Sequence, residues 1–306
     1  MKSNDTAIEI KGLIRGYAKT DAVQGLSLNV APGQCYGFFG RNGAGKTTTI
    51  KCLLNLLRPH EGSVRLFGMD PKRDDVSIKS RLSYVPDHVP VYPWMTIQQY
   101  FEFLASFRKH WNTELENQLI DQFGLDHARK VDQLSRGERV QVALIGALCP
   151  EPELLILDEP TSGLDPVIRR EFIRTIIGTY QDADPENRTV FVSTHLISEF
   201  EGLIDEFTII DHGKEILTAN TEVARSRYRR LRSRFKTEPP KIENEAIAKT
   251  SVEGRELDLT VIDKADEVKA LINQHQPLEI KEESLTLEDI FLINAGKQGG
   301  QNVIKN

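Results

Sequence analysis

Residues 40–48, GRNGAGKTT, limit what this chain can fold into. Gly40, Gly45, Lys46 and Thr47 complete the spacing G-x-x-x-x-G-K-[ST]. In that pattern the glycines let successive backbone N–H groups turn inward around a polyphosphate. Lys46 then reaches the β- and γ-phosphates, and the Thr47 hydroxyl suits Mg²⁺. Asn42, Gly43 and Thr48 belong to the same cradle. The apolar run CYGFF (35–39) reads as a buried strand, and TTIKCLLNLL as a helix whose positive N-terminus faces the phosphates. Strand, glycine loop and helix in that order predict an α/β fold built on a P-loop NTPase core.

Bulk properties narrow the classes. A chain of 306 residues suggests one large domain plus a smaller one. Its net charge of −6 disfavours non-specific binding to nucleic acid. No apolar run approaches the roughly 18 residues that cross a bilayer, and MKSNDTAIEI lacks the apolar core of a secretory signal. Cys35, Cys52 and Cys149 are sparse, unclustered and set in apolar stretches, as expected of buried thiols in a reducing cytoplasm. The histidines show no spacing that suits a transition metal.

The N-terminal residues 5–31 read as two strands around a turn at AKTD, an antiparallel β subdomain. Tyr17 could stack on an adenine ring or simply cover a hairpin edge. SVRLFG and SRLSYVPD are further strands, the second ending on Asp87. The loop HVPVYPWMT (88–96) is partly apolar, and reads either as a partner contact or as a loop tucked on its own domain. Residues 97–123 read as helix throughout, and a helical subdomain occupies about 96–150. In LSRGERVQVALIGALC (134–149), Ser135 and Glu138 form a capping box. Ser135, the Gly137 N–H and the helix dipole could also face an anion.

LLILDEP (154–160) is an apolar run ending in two carboxylates. Ligands of open α/β sheets sit beyond the carboxyl ends of the strands, which puts both acids near the phosphates. Asp158 suits a contact to Mg²⁺, and Glu159 suits polarising or deprotonating the attacking water. IRREFIRTIIGTY (168–180) reads as a helix and RTVFVSTH as another buried strand, with His195 at the same sheet edge, within reach of the γ-phosphate. LISEFEGLI follows as a helix, and residues 205–219 as a hairpin turning at His212–Gly213.

Together these residues resemble the ATP-binding subunits of ABC transporters, over roughly residues 5–220. The likeness rests on the phosphate loop, the signature-like LSRGE, LLILDEP, SGLD (162–165) and His195, in that order. It implies ATP with Mg²⁺ held by Thr47, Asp158 and Asp87, catalysis by Glu159 with His195, and adenine stacking on Tyr17. Ser135 and Gly137 match signature residues that bind the ATP of an opposing subunit, and Asp165 matches the loop that crosses that interface. The implied unit is a head-to-tail homodimer, or a heterodimer with a paralogue. It would drive a separate integral membrane subunit from the cytoplasmic face, with contact through the 88–96 loop and the helical subdomain. Two departures stand out: Asp87 falls where the family has glutamine, a trait of exporter-type members with detached membrane subunits, and LSRGE replaces LSGGQ. A soluble ABC-type ATPase acting on nucleic acid or ribosomes is the alternative. Such translation factors usually carry two cassettes, and this chain has one.

After 220 the composition shifts. RSRYRRLRSRFK (225–236) holds seven basic residues and no acid. Arg230, Arg232, Arg234 and Lys236 would line one face of a strand, read as a charge-protected edge or as a surface for anionic headgroups or an acidic partner. EPPKIENEA reads as a linker. Three strands and a helix complete a small α+β accessory or dimerisation domain over 221–296, closed by the helix SLTLEDIFLINAG, and 297–306 are expected to be disordered.

Overall fold

The computed structural model describes residues 6–17, 20–89, 92–181 and 183–300. Two units divide the chain, Met1–Glu215 and Ile216–Asn306. In the first, β1 (Ile8–Tyr17) and β2 (Thr20–Val30) pair antiparallel, from Ile8 opposite Val30 to Tyr17 opposite Thr20. Alternation places Ile8, Ile10 and Leu13 inside, with a register shift between Ile10 and Leu13. Ala18 and Lys19 of the expected turn lie outside the described residues. β3 (Cys35–Gly40), buried along its whole length, enters the phosphate loop, and α1 (Lys46–Leu53) leaves it. β4 (Glu61–Leu66) joins the other edge of β1, giving the order β2-β1-β4.

α2 (Asp75–Arg81) was not anticipated from the sequence: its seven residues bury only Ile78, too little to mark a helical period. It leads straight into β5 (Leu82–Val85). The continuous helix expected over 97–123 is divided into α3 (Ile97–Ala105) and α4 (Thr113–Phe123). The Ser106 hydroxyl donates to Phe103 O, and Arg108 Nη1 donates to Lys79 O (2.7 Å) and Leu82 O (3.1 Å), tying the connection to β5. Asn112 then starts α4 by accepting from Leu115 N at 2.9 Å. Pro90 and Val91 of the 88–96 loop lie outside the described residues. α5 (Arg136–Leu148) packs on α3 and α4 and is buried from Val140 to Leu148.

β6 (Leu154–Asp158) is fully buried and α6 (Pro166–Thr175) follows it. The helix expected over 168–180 changes to π winding at Ile176–Gln181, where the buried Tyr180 donates its hydroxyl to Pro152 O (2.7 Å). Beyond β7 (Thr189–Thr194), LISEFEGLI forms only the single turn α7 (Ile197–Phe200). Asp205 pulls the chain back to β3, its N–H donating to Cys35 O (2.9 Å) and its carboxylate accepting from Cys35 N (2.8 Å). β8 (Glu206–Asp211) and β9 (Lys214–Asn220) flank His212 and Gly213, both with left-handed φ, 46° and 78°. The main sheet has the order β5-β6-β7-β3-β8-β9, and β5, β6, β7, β3 and β8 run parallel. Phe39 lies opposite Thr194 and Asp158 opposite Ser193, so β3, β6 and β7 end together at one edge. Cys35, Cys52 and Cys149 are buried free thiols whose pKa values burial pushes up.

The second unit contains α8 (Thr221–Arg227), β10 (Tyr228–Arg234), β11 (Ile247–Glu253), β12 (Glu256–Ile262), α9 (Ala265–Gln274), β13 (Glu279–Ser284) and α10 (Leu287–Gly300). Its sheet has the order β11-β12-β10-β13, so the basic strand is central and not the edge expected. Arg230 pairs with Asp258 (3.7 Å) and Asp289 (3.2 Å), and Arg232 with Asp258 (3.3 Å) and Glu283 (3.7 Å). The run reads as unpaired because these acids come 26 or more residues later. The expected linker is packed: Ile242 and Ala246 join Leu231, Leu259 and Val268 in the unit's core. Helical backbone continues past 297 to Gly300, since extending a formed helix fixes one residue per hydrogen bond. Residues 301–306 lie outside the described residues.

Candidate functional site

The phosphate loop is built by close approach. Gly45 has φ 108°, and a Cβ there would stand 2.3 Å from Ala22 O, so no other residue fits. The loop leaves Asn42, Gly43 and Thr47 exposed, Thr48 half-buried, and Lys46 only 5% exposed. Lys46 Nζ donates to Gly40 O (2.8 Å) and Arg41 O (3.3 Å) and stands 2.9 Å from Glu159 Oε1. A buried ammonium is therefore held by two carbonyls and a carboxylate at the mouth of the loop.

Asp158 and Glu159 arrive from β6 with different environments. Asp158 is 1% exposed; Oδ1 accepts from the Ser193 hydroxyl at 3.0 Å, while Oδ2 is buried with no hydrogen-bond partner. Burial pushes its pKa up, and the hydroxyls of Thr47 and Ser193 oppose that rise. An orphaned buried carboxylate oxygen beside the Thr47 hydroxyl suits Mg²⁺, which takes one or two protein oxygens and completes its shell with water and phosphate. Among the described residues no group of three or more His, Cys, Asp or Glu stands together as a metal site. Asp158→Asn should raise the melting temperature of the nucleotide-free protein, by about 2–4 °C for each kcal/mol recovered from the unsatisfied charge, while abolishing Mg²⁺-dependent ATP turnover. The sign follows from the raised pKa: the ionised carboxylate is the disfavoured form in the fold, so neutralising it at pH 7 stabilises. Differential scanning fluorimetry beside an ATPase assay checks both halves.

Glu159 sits in a left-handed conformation, φ 49°, with its N–H bonded to Ser193 O at 2.7 Å. Oε2 is 2.7 Å from His195 Nδ1 and also accepts from the His195 N–H and the Thr194 hydroxyl, each at 3.3 Å. Burial would raise its pKa, but the Lys46 ammonium, then His195, outweigh that and hold it below the ordinary carboxylate range. Lys46, Asp158, Glu159 and His195 thus form one group at the common end of β3, β6 and β7.

Other expected residues stand outside this group. Tyr17 is 48% exposed, with the Arg15 guanidinium over its ring, 5.4 Å from the centroid. Asp87 shares its half-exposed carboxylate between Arg136 Nη2 (3.8 Å) and His88 Nε2 (3.7 Å). Its charge and that of Asp158 both act on Tyr84, whose pKa burial raises first of all. No described contact joins Ser135 or Gly137 to the Lys46 group. Ser135 caps α5, and a Cβ on Gly137 would meet Ile168 Cδ1 at 2.5 Å. Tyr84, Ser193, Thr161 and Glu199 are structural neighbours of the site that sequence reasoning missed. Ser193 was legible as the residue opposite Asp158 on a parallel neighbour, whereas Tyr84 and Glu199 carry no local signal.

Glu138, the unusual last residue of LSRGE, has a task of its own. Its carboxylate accepts from the Ser135 N–H (2.7 Å) and is gripped by Arg129, which pulls its pKa down to about 2. A depressed carboxylate stabilises the fold above its unfolded pKa, and that stability is lost as pH falls toward 2. Glu138→Ala should cost about 1–2 kcal/mol at pH 7. The difference from wild type should shrink below pH 4 in urea unfolding curves.

With this geometry in place, likeness to known proteins becomes informative. Residues 23–162 match the family model described as ABC transporter. The chain is 36% identical over 211 residues to the bacitracin transport ATP-binding protein BcrA of Bacillus licheniformis, a match covering 68% of each. It is 30% identical over 311 residues to the Nod factor export ATP-binding protein I of Paraburkholderia xenovorans, covering 96% of this chain and 98% of that one. That second match takes in both units. Among solved structures, an ATP-binding subunit of an ABC transporter superposes with TM-score 0.66 at 25% identity, covering 72% of this chain and 92% of that one. A dimeric ATP-binding cassette bound to ADP and Pi superposes with TM-score 0.61 at 20% identity, over 70% of this chain and 98% of that one.

Proposed function

This chain belongs to the ATP-binding subunits of ABC transporters, ATPases whose hydrolysis drives transport, and from that premise we propose that it powers an exporter through a separate membrane subunit. Subunits of this kind dimerise and pair with membrane proteins. Export is favoured by the relatives named for antibiotic transport and Nod factor export, and by the acid at Asp87. The observation that carries the reading is the Lys46–Glu159–His195 line of contacts beside the orphaned oxygen of Asp158.

Residue roles follow from that line. Gly43, Gly45, Thr48 and the Asn42 backbone cradle the triphosphate, Lys46 neutralises its outer phosphates, and Tyr17 stacks on the adenine. Thr47 and Asp158 would hold Mg²⁺, with Asp87 adding negative charge nearby. When bound, Mg²⁺ would supply positive charge against the phosphates for γ-phosphoryl transfer. Glu159 takes the proton of the attacking water, and His195, bonded to it, orients that carboxylate and meets the γ-phosphate. Ser135 and Gly137 serve the ATP of a second subunit.

No helix among the described residues is long and apolar enough to cross a membrane. Attachment at the cytoplasmic face would therefore run through a partner. A groove of about 560 Å³, lined by Leu54, Leu56, Val76, Leu104 and Phe107, offers it a seat. Phe107 is 72% exposed and Trp94, on the 88–96 loop, 67%, which is unusual for aromatics unless a partner covers them. Phe107→Asp together with Trp94→Ala should weaken co-purification with its membrane subunit by at least about thirtyfold, a loss of roughly 2 kcal/mol. ATP binding by the isolated variant should stay at the wild-type value. Unchanged co-purification from detergent extracts would move the docking surface elsewhere.

A further inference from the structure

Glu159 keeps a left-handed backbone, φ 49°. For a residue other than glycine that conformation is strained and persists only where the surroundings enforce it. Part of the enforcement is local: Glu159 O accepts from Ser162 N (3.2 Å), and Thr161 O from Leu164 N (3.2 Å). Ser193 O also holds the Glu159 N–H (2.7 Å), and a further grip comes from Glu199 on α7. One of its carboxylate oxygens accepts from the fully buried Thr161 hydroxyl and the other from Arg169 Nη1. Arg169 Nε in turn donates to Leu164 O at 2.7 Å. Glu199 therefore grips the turn after Glu159 at two points. Its own helix begins two residues beyond His195, whose ring meets Glu159 Oε2.

The contacts close a ring: Glu159 to His195, along the chain to Glu199, across to Thr161, and back through Pro160. No described contact links Thr161, Arg169 or Glu199 to the phosphate loop. Their contacts meet the site through the turn that carries Glu159.

We propose that Glu199 is a positioning residue for Glu159: through Thr161 and Arg169 it clamps the 159–165 turn and fixes the carboxylate against His195. The inference rests on the reading of Glu159 as the base. A displacement of the order of 1 Å at a catalytic group costs about 10–100-fold in rate. In the full-length protein, Glu199→Ala should lower kcat for ATP hydrolysis about tenfold and leave KM for ATP within about twofold. Thr161→Val, nearly isosteric, removes one of the two grips and should show a smaller loss in the same parameter, restored by Thr161→Ser. Glu199→Ala combined with Arg169→Ala should lose less than the product of the two single losses, because both act on one clamp. A kcat within twofold of wild type for Glu199→Ala, or a KM that rises as kcat falls, overturns the proposal. Should Glu199→Ala fail to fold, the same thresholds applied to Thr161→Val decide it. Glu159→Gln assayed alongside separates the two levels. An active Glu159→Gln defeats the base assignment, whereas an inactive one beside unimpaired Glu199→Ala and Thr161→Val defeats the clamp alone.

Discussion

Lys46→Ala is expected to weaken ATP binding by at least about a hundredfold, read by calorimetric titration of the purified chain. The ammonium is buried and already committed to ionic and carbonyl partners, so its desolvation is met before the triphosphate arrives. Two charge-assisted bonds to phosphate oxygens are worth about 1.5–3 kcal/mol each, and 1.4 kcal/mol is tenfold. The variant has a second consequence within the protein. Glu159 loses the interaction that does most to hold its pKa down, and burial then acts on it with only His195 in opposition. Its carboxyl group should titrate at higher pH than in wild type, visible as an acid-limb shift in any residual activity. An unchanged dissociation constant would end the assignment of the loop as a triphosphate cradle.

Glu159→Gln should bind MgATP within a few-fold of wild type, accumulate as an ATP-dependent dimer, and lose about 10²–10⁴ in kcat. The amide keeps an oxygen for Lys46 and can donate to His195 Nδ1, so the site should keep its shape. What is lost is the ability to accept a proton. In wild type the carboxylate lies below its usual range, so it is ionised across neutral pH, and turnover that depends on it should fall only on the acid side. Size-exclusion chromatography with and without MgATP, paired with phosphate release, reads both outcomes. A Glu159→Gln chain that hydrolyses ATP normally would remove the base from this site.

The grouping of Lys46, Asp158, Glu159 and His195 was legible because these residues lie where short patterns meet strand ends. Gly45, Lys46 and Thr47 follow β3, Asp158 and Glu159 end β6, and His195 follows β7. Parallel pairing brings those ends together, so local reading was enough. What stayed hidden depends on distance along the chain. The partners of Arg230 and Arg232 come from β12, β13 and α10, and no property of residues 225–236 announces them. Arg108 ends α3 by reaching back to Lys79 and Leu82, which the helical spacing of 97–123 cannot reveal. Glu199 reads as an ordinary exposed-face acid until its two partners, Thr161 and Arg169, are placed beside it.

The place of β10 in its sheet has a consequence for synthesis. Residues 228–234 gain one neighbour only when 256–262 have been made, and the other only with 279–284. An arginine-rich segment thus leaves the ribosome well before its counter-charges exist, and its sheet can acquire its last ladder of hydrogen bonds only once residues 279–284 have been made. Premature termination anywhere before residue 279 would release a chain whose most basic strand has an open side, a template for sticking to acidic polymers or to its own kind.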